Sequence, residues 1–381
     1  MELLDMIDSG ETSRVQFKSR LDNRDKFAAE MIAMANAKGG DILIGVDDKT
    51  GDVIGLEYSE LQSLGNSIAN IATDLVKPQI FPMTEVVNVE TGSGVKKVLV
   101  VHIDEGIAKP YKERNGTIWI KQGADKRRLT DNSEQVRLFQ QSGLIYVDEM
   151  IVPSTTMSDI DRDKVMEYLR KIDDADIDIP EEQLYINLNI IKEGRLTLGG
   201  SLFFAKNPQQ FRPAFCIKAV SYFGNDIAGS DYRGSMDITG TIPEMFTQAM
   251  GFFNTYLEQK QKEQNFNSTG ILEISPVALE EILQNALTHR DYSKNAPVRI
   301  LIFDNRVEII SPGALPNNLT VENIKLGNTV VRNNLIVSFA SKLMTYRGLG
   351  SGIRRTLKEH PNTEFINDTE GEQFSSILHR V

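Results

Sequence analysis

The chain has 381 residues, 40% of them hydrophobic and 25% charged, a length and balance that exclude a peptide or a fibre and predict two or three cores rather than one. A formal net charge of −11 excludes a protein that coats nucleic acid with its whole surface, because phosphate binding draws on clustered Lys and Arg, so any such contact is local. Met1-Glu2-Leu3-Leu4-Asp5 has neither a basic n-region nor an apolar h-region, and no stretch approaches the ~18 apolar residues of a membrane span, so the expectation is a soluble, cytoplasmic protein with no membrane partner.

In chain order, the pattern predicts a helix over about Arg24–Ala37, a stop at Gly39-Gly40, a strand over Asp41–Asp47 and a turn at Asp48-Lys-Thr-Gly51. An amphipathic helix near Ser59–Leu75 precedes strands at Thr84–Val89 and Lys97–Ile103, and a hairpin tip at Asn115-Gly116 leads into Thr117–Lys121. After Pro153 come a capped helix over about Ser158–Arg170, an acidic loop over Asp173–Asp178, a helix-like Glu181–Ile191 and a Gly-rich strand region. Cys216, the one cysteine, lies in the apolar run Ala214-Phe215-Cys216-Ile217 and is expected in a core, in a reducing compartment. A long helix over Ile242–Gln261 and a polar loop over Gln264–Gly270 lead into the last domain. The reading is an α+β protein with an N-terminal domain over 1–145, an α/β connector over 146–236 and an α/β sandwich over 237–381.

Ser275-Pro276 reads as an N-cap followed by proline at the first helical position, so a helix runs from there to about Tyr292. At about 100° per residue, Leu279, Ile282, Leu283 and Ala286 share one face, while Glu281, Asn285, Thr288 and Tyr292 gather nearly opposite. A carboxylate and a carboxamide one turn apart suit a nucleotide site, the amide oxygen as a Mg²⁺ ligand and the carboxylate to orient or deprotonate water; a solvated helix face explains the same spacing. A β-hairpin, Val298–Phe303 with Val307–Ile310, runs into Ser311-Pro-Gly-Ala-Leu-Pro316. Arg347-Gly-Leu-Gly-Ser-Gly352 then leads into a helical Ile353–His360, and a glycine turn at a helix start exposes backbone N–H groups to phosphate. No Gly-x-x-x-x-Gly-Lys-Ser/Thr run occurs, which excludes a P-loop motor.

Taken in order, Glu281-x-x-x-Asn285-Ala-Leu-x-His289-Arg290-Asp291-Tyr292, the Ser-Pro-Gly313 strand end and Gly348-x-Gly350-x-Gly352 resemble the GHKL ATPase fold, and more closely its RecG-like regulator branch. The resemblance implies ATP and Mg²⁺ as cofactors, Glu281 as catalytic base and Asn285 as Mg²⁺ ligand. It also implies a nucleotide pocket that includes His289, Arg290, Gly313, Gly348, Gly350 and Gly352. Most GHKL proteins carry an Asp that reads the adenine amino group where this chain has Ser311-Pro312-Gly313. Asn187–Pro208, Phe223-Gly224 and Asp237–Gly240 resemble the middle segment of the same regulator group.

Gly10-Glu-Thr-Ser-Arg-Val-Gln-Phe-Lys18, Met34–Asp48, Lys109-Pro-Tyr111 and Ile118–Gly123 resemble the AlbA_2 domain shared with Schlafen proteins, which implies a nucleic-acid-binding α+β domain with DNA or RNA as partner. Some Schlafen members cleave RNA with two Glu and one Asp around a divalent metal. Carried over, Glu11 takes the first of these metal-ligand positions and Asp48 the last, while Gln16 stands at the second and leaves the set one charge short. Asp48 also suits an ordinary turn. Within a basic cluster from Lys109 to Arg128, interrupted by Tyr111 and Trp119, the residues expected to hold nucleic acid are Lys121, Lys126, Arg127 and Arg128; a solvated charged face is the plain alternative. The expectation is an ATP-binding, nucleic-acid-binding regulator that forms a homo-oligomer, with an ATP-gated metal-dependent nuclease or a non-catalytic assembly protein as alternatives.

Overall fold

The structure, a computed structural model, describes residues 3–92, 94–172, 179–228, 231–260, 270–316, 319–346, 348 and 350–380. The acidic loop 173–178, the polar loop up to 269 and Arg347 of the glycine turn lie outside the described residues. The chain divides into two compact units, Met1–Ile145 and Tyr146–Val381. No helix among the described residues is long and apolar enough to cross a membrane.

The first unit runs α1 (Leu3–Asp8), β1 (Val15–Lys18), α2 (Arg24–Asn36), β2 (Gly40–Ile44), α3 (Tyr58–Asp74), β3 (Val76–Lys77), β4 (Met83–Thr91), β5 (Gly94–Ile103), β6 (Lys112–Glu113), β7 (Trp119–Gln122), β8 (Asp125–Arg128) and α4 (Asn132–Gln141). Its main sheet has the order β1-β2-β5-β4, parallel between β1 and β2 and antiparallel elsewhere. The apolar run Ile42-Leu43-Ile44 is continuous because both sheet faces are covered. Ile42 and Ile44 join a core with α2 and α3, while Leu43 joins a second core with Ile7, Val15 and Phe17. Ten of the thirteen residues of α2 are buried, Glu30 and Asn36 among them. The stop after α2 is steric: Gly39 has φ +70°, and a Cβ there would fall 2.4 Å from the Ile103 carbonyl oxygen. The strand pairing near residue 120 differs from expectation. The Asn115-Gly116 turn is closed by Glu113 N–H donating to Thr117, but β7 pairs with β8 around Gly123-Ala124, and β6 pairs with β3. The charged run Asp125–Arg128 carries no apolar alternation to announce a strand.

The second unit runs α5 (Arg162–Lys171), α6 (Glu181–Asn187), β9 (Ile191–Lys192), β10 (Arg195–Leu196), α7 (Leu198–Phe204), β11 (Ile217–Tyr222), β12 (Tyr232–Ile238), α8 (Ile242–Tyr256), β13 (Gln259–Lys260), β14 (Ile271–Leu272), α9 (Pro276–His289), β15 (Val298–Ile302), β16 (Arg306–Pro312), α10 (Val321–Lys325), α11 (Asn334–Leu343), α12 (Gly352–Glu359), β17 (Thr363–Asp368) and β18 (Gln373–His379). The six-stranded sheet has the order β12-β11-β15-β16-β18-β17, with β11 parallel to β15, so strands from before and after residue 237 share one sheet. They also share one core, which extends from Val152 to Leu378.

The Gly-rich region after 197 is helical rather than extended. Thr197 accepts the Gly200 N–H as N-cap, and the missing side chain at Gly200 lets α7 lie against the Ile190 carbonyl, 2.2 Å from where a Cβ would be. Helix α8 begins with a Thr241/Glu244 capping box and stops at Tyr256, where Leu257 turns into extended backbone and is buried. Cys216 is buried, and burial pushes its thiol pKa up.

Candidate functional site

Helix α9 starts at Ser275-Pro276 as expected, and its apolar stripe of Leu279, Ile282, Leu283 and Ala286 is buried against the sheet core. Glu281 and Asn285 face a cleft of about 1010 Å³, counting the space at its mouth. The rest of the polar face behaves differently: Thr288 is buried and donates to the Gln284 carbonyl, and Tyr292 is buried with its hydroxyl on the Leu287 carbonyl.

The floor of the cleft is β16 and β18, through Ile309, Ser311, Phe374 and Ser376, and one wall is the glycine turn into α12. Helix α12 packs against α9 so closely that a Cβ on Gly352 would stand 2.5 Å from Glu281 Oε2 and 3.4 Å from Asn285 Nδ2. Gly350 has φ +68° and its absent side chain clears the Gly327 carbonyl, while Gly348 and Gly313 line the same space. On α12, Arg355 Nη1 stands 2.6 Å from Glu281 Oε1, and its other terminal nitrogen donates to Ser351 Oγ. Among the described lining residues the only carboxylate is Glu281. Where GHKL proteins offer an Asp, Ser311 donates to the Ala286 carbonyl at 3.1 Å.

His289 lines the cleft, its Nε2 2.7 Å from the Tyr346 hydroxyl. Burial, with the charge of Arg332 added, pushes its pKa down to about 4, so the imidazole is neutral at neutral pH. Arg290, expected beside it, is elsewhere. The helix ends at His289, the Arg290 backbone turns extended, and the guanidinium packs over the Phe215 and Tyr292 rings while donating to the Lys294 and Ala296 carbonyls. It is 2% exposed and holds the end of α9 rather than a ligand.

In the first unit the segments that bear the two expected metal ligands, Glu11 and Asp48, have local hydrogen-bond partners of their own. Glu11 Oε1 accepts the Phe17 N–H at 2.8 Å and a bond from Gln16 Nε2. Asp48 follows Asp47, and it is Asp47 that takes the Lys49 and Thr50 amides, so the turn role belongs to the neighbour. No group of three or more His, Cys, Asp or Glu that could hold a metal is present among the described residues.

The four expected nucleic-acid cations lie on β7 and β8 with unequal exposure. Lys121 is buried and paired with Glu30, and Lys126 closes the other Glu30 oxygen at 2.6 Å. Arg127 pairs with Glu134, and exposed Arg128 lies over the Trp119 ring at 5.4 Å. Burial alone would raise the Glu30 carboxyl pKa, but the two ammonium groups outweigh it and hold the pKa below the usual range.

Residues 11–130 match the Schlafen, AlbA_2 family model, and residues 295–374 match the recG C-terminal model, HATPase_c_4. The chain joins a Schlafen AlbA_2 domain to a recG-type HATPase domain. Among solved structures it is similar to the DIP2311 protein from Corynebacterium diphtheriae, with 20% identity, coverage of 99% of this chain and 79% of that one, and a TM-score of 0.49. No curated protein matches the sequence.

Three positions without a recognisable signal in the sequence hold together the elements around the candidate sites. In the AlbA_2 unit, Asn36 sits inside the Met34–Asp48 motif and donates from Nδ2 to the Tyr111 and Trp119 carbonyls, while its Oδ1 accepts the Tyr111 N–H, pinning the aromatic segment to α2. In the HATPase unit, Asp148 is fully buried in the short turn Val147–Glu149 and accepts the Leu335 and Ile336 N–H groups at the start of α11, at 2.7 and 3.0 Å. Burial raises its pKa to about 6 against those two bonds. Asn333, just before α11, donates to the Thr288 and Arg290 carbonyls and so fixes the end of the helix that bears Glu281 and Asn285.

Proposed function

We propose that this chain is an ATP-binding, nucleic-acid-binding regulatory protein, in which the HATPase cleft takes ATP with Mg²⁺ and nucleotide state alters how the AlbA_2 unit engages DNA or RNA. The observation that carries this reading is the meeting of Glu281, Asn285 and Gly352 at one place in an open cleft. The lining suits the ligand. The start of α12 offers unencumbered backbone N–H groups to phosphate, and Ile309, Leu315, Ile324 and Phe374 offer an apolar bed to a base. Asn285 is the residue that would hold Mg²⁺ through its amide oxygen, and Mg²⁺ there would neutralise phosphate charge. Glu281 is the residue to orient or deprotonate water, so the same cleft supports ATP hydrolysis. Ser311 and Ser376 line the cleft and are the residues that would read the base, and hydroxyls both donate and accept, which predicts looser base selection than an Asp provides.

The domain division supports the regulatory part. The chain enters the second unit at Tyr146, and two residues later Asp148 is bonded to α11. The segment that leads into α11 supplies Asn328, Thr329 and Val330 to the cleft. Nucleotide contacts to that segment would thus bear on the point where the chain crosses from one unit to the other. Self-association as a homodimer is part of the proposal and rests on family resemblance; light scattering at twice 42.7 kDa supports it and a monomer refutes it.

The test pairs a fluorescent ATP analogue with labelled single-stranded and duplex DNA and RNA. Saturable ATP binding and an affinity for one nucleic acid that changes on adding ATP are expected. Nucleotide binding with an unchanged nucleic-acid affinity contradicts the coupling.

A further inference from the structure

A buried polar cluster of the AlbA_2 unit contains a cation of its own. Lys121 Nζ donates to Gln16 Oε1 at 2.9 Å, to Glu30 Oε1 at 2.8 Å and to the Ala124 carbonyl at 2.6 Å, which uses every donor an ammonium has. Its side chain is 3% exposed and that of Glu30 2%, so both charges are out of water. A buried ion pair holds only when the remaining lone pairs and protons are also satisfied, and here they are: Lys126 takes Glu30 Oε2, and Gln16 passes the network on by donating from Nε2 to Glu11.

Hard divalent cations are held by carboxylate, amide and carbonyl oxygens. Glu30, Gln16 and Ala124 present one of each, and Glu11 lies one bond further along. Those oxygens converge on an ammonium, so a metal does not fit while Lys121 is in place. Gln16 fits this arrangement as a carboxylate would not, because its Oε1 accepts from Lys121 while its Nε2 donates to Glu11.

We propose that Lys121 is a resident cation standing where a divalent ion would otherwise sit, and that the AlbA_2 unit engages nucleic acid without metal and without cutting it. Only the nucleic-acid clause rests on the proposed function; the cation assignment stands on the geometry. Gln16→Glu alone creates no metal site, since the ammonium remains. Removing the ammonium does create one, from the oxygens it leaves behind.

The test is thermal melting of the full-length protein in EDTA and in millimolar Mn²⁺ or Ca²⁺, with no nucleotide present. The wild type is expected to melt at the same temperature in all three. Lys121→Ala is expected to melt about 10 °C lower in EDTA, because Glu30 loses a buried partner, and Mn²⁺ is expected to restore at least half of that loss. Lys121→Ala combined with Glu30→Gln removes both charges and is expected to recover stability in EDTA and to ignore Mn²⁺. Should the single variant not fold, the double variant carries the test alone: a well-folded double supports the assignment and an unfolded one overturns it. A wild-type shift with Mn²⁺ that Glu30→Gln abolishes also overturns it, as does a Lys121→Ala protein that melts like the wild type in EDTA. Wild-type nucleic-acid binding is expected to be equal in EDTA and Mn²⁺. Binding that requires Mn²⁺ overturns the metal-free clause, whereas no binding under either condition sinks the proposed function and leaves the cation assignment to the melting data.

Discussion

Arg355 on α12 holds Glu281 on α9 at 2.6 Å across the mouth of the glycine turn. The carboxylate is 14% exposed and the guanidinium 34%, so the pair is partly screened and contributes no more than about 1 kcal/mol to the unliganded protein. Its importance lies in where it is. A nucleotide phosphate bound as proposed would compete with Glu281 for the same guanidinium, and charge-assisted bonds from Arg to phosphate are strong. Arg355→Ala is therefore expected to leave the melting temperature within a few degrees of the wild type while weakening ATP binding by about tenfold. An unchanged ATP affinity in a titration of that variant contradicts the competition.

On the proposed reading, Glu281 and Asn285 have separable roles in turnover and binding. Glu281→Gln keeps the shape and the hydrogen bonding but loses the base, so ATP affinity is expected to stay within about threefold and hydrolysis to fall by ~10²–10⁴-fold. Steady-state phosphate release beside equilibrium binding measures both. Equal losses in the two would assign Glu281 to binding alone.

The pH dependence of the second unit contains two opposing contributions. The His289 pKa is depressed from 6.5 to about 4, so between those values the unfolded chain binds more protons, and the stabilisation present above pH 6.5 is lost as pH falls toward 4. The full effect is up to about 3 kcal/mol, and His289 is partly open to the cleft, so solvent screening takes a share. Asp148 acts in the other direction. Its pKa is raised from 3.8 to about 6, the folded state binds more protons in that window, and stability declines as pH rises through it. Denaturant midpoints from pH 4 to 7.5 are expected to show steeper acid sensitivity in Asp148→Asn, which removes the compensating group, and shallower sensitivity in His289→Gln. Asp148→Ala leaves the Leu335 and Ile336 N–H groups without an acceptor and is expected to cost about 1–3 kcal/mol near neutral pH. Parallel pH profiles for all three proteins would contradict these assignments.

For nucleic acid, exposure ranks the cations on β7 and β8. Arg128 is exposed over Trp119, whereas Lys126 is committed to Glu30. Arg128→Ala is expected to weaken binding and to lower the slope of log K against log salt by about one, while Lys126→Ala is expected to cost stability more than affinity. A salt titration of each variant decides; a larger slope change for Lys126 reverses the ranking.

Much of this was legible in the sequence where local rules govern. Helix α9 announced itself through Ser275-Pro276 and a 3.6-residue apolar stripe, and the glycine turn announced α12, because caps, periodicity and glycine act over a few residues. The paired fates of Lys121 and Glu30, 91 residues apart, and of Asp148 and Leu335, 187 apart, have no such local cause. A basic cluster reads the same whether its lysines face water or a buried carboxylate, which is why Lys121 looked like a phosphate ligand. The resemblance put Arg290 in the nucleotide pocket, but α9 ends at His289 rather than near Tyr292, and the guanidinium turns away to the Lys294 and Ala296 carbonyls. The Gly-rich stretch at 198–200 looked extended because glycine is a poor helix former, and close packing on Ile190 overrode that preference.

Binding of Mg-ATP in the HATPase cleft is tested most directly by calorimetric titration into the wild type and Asn285→Ala. The wild type is expected to bind one ATP per chain with an affinity that falls when Mg²⁺ is replaced by EDTA, and Asn285→Ala is expected to lose that Mg²⁺ dependence. No heat and no binding by the wild type at millimolar ATP would contradict it.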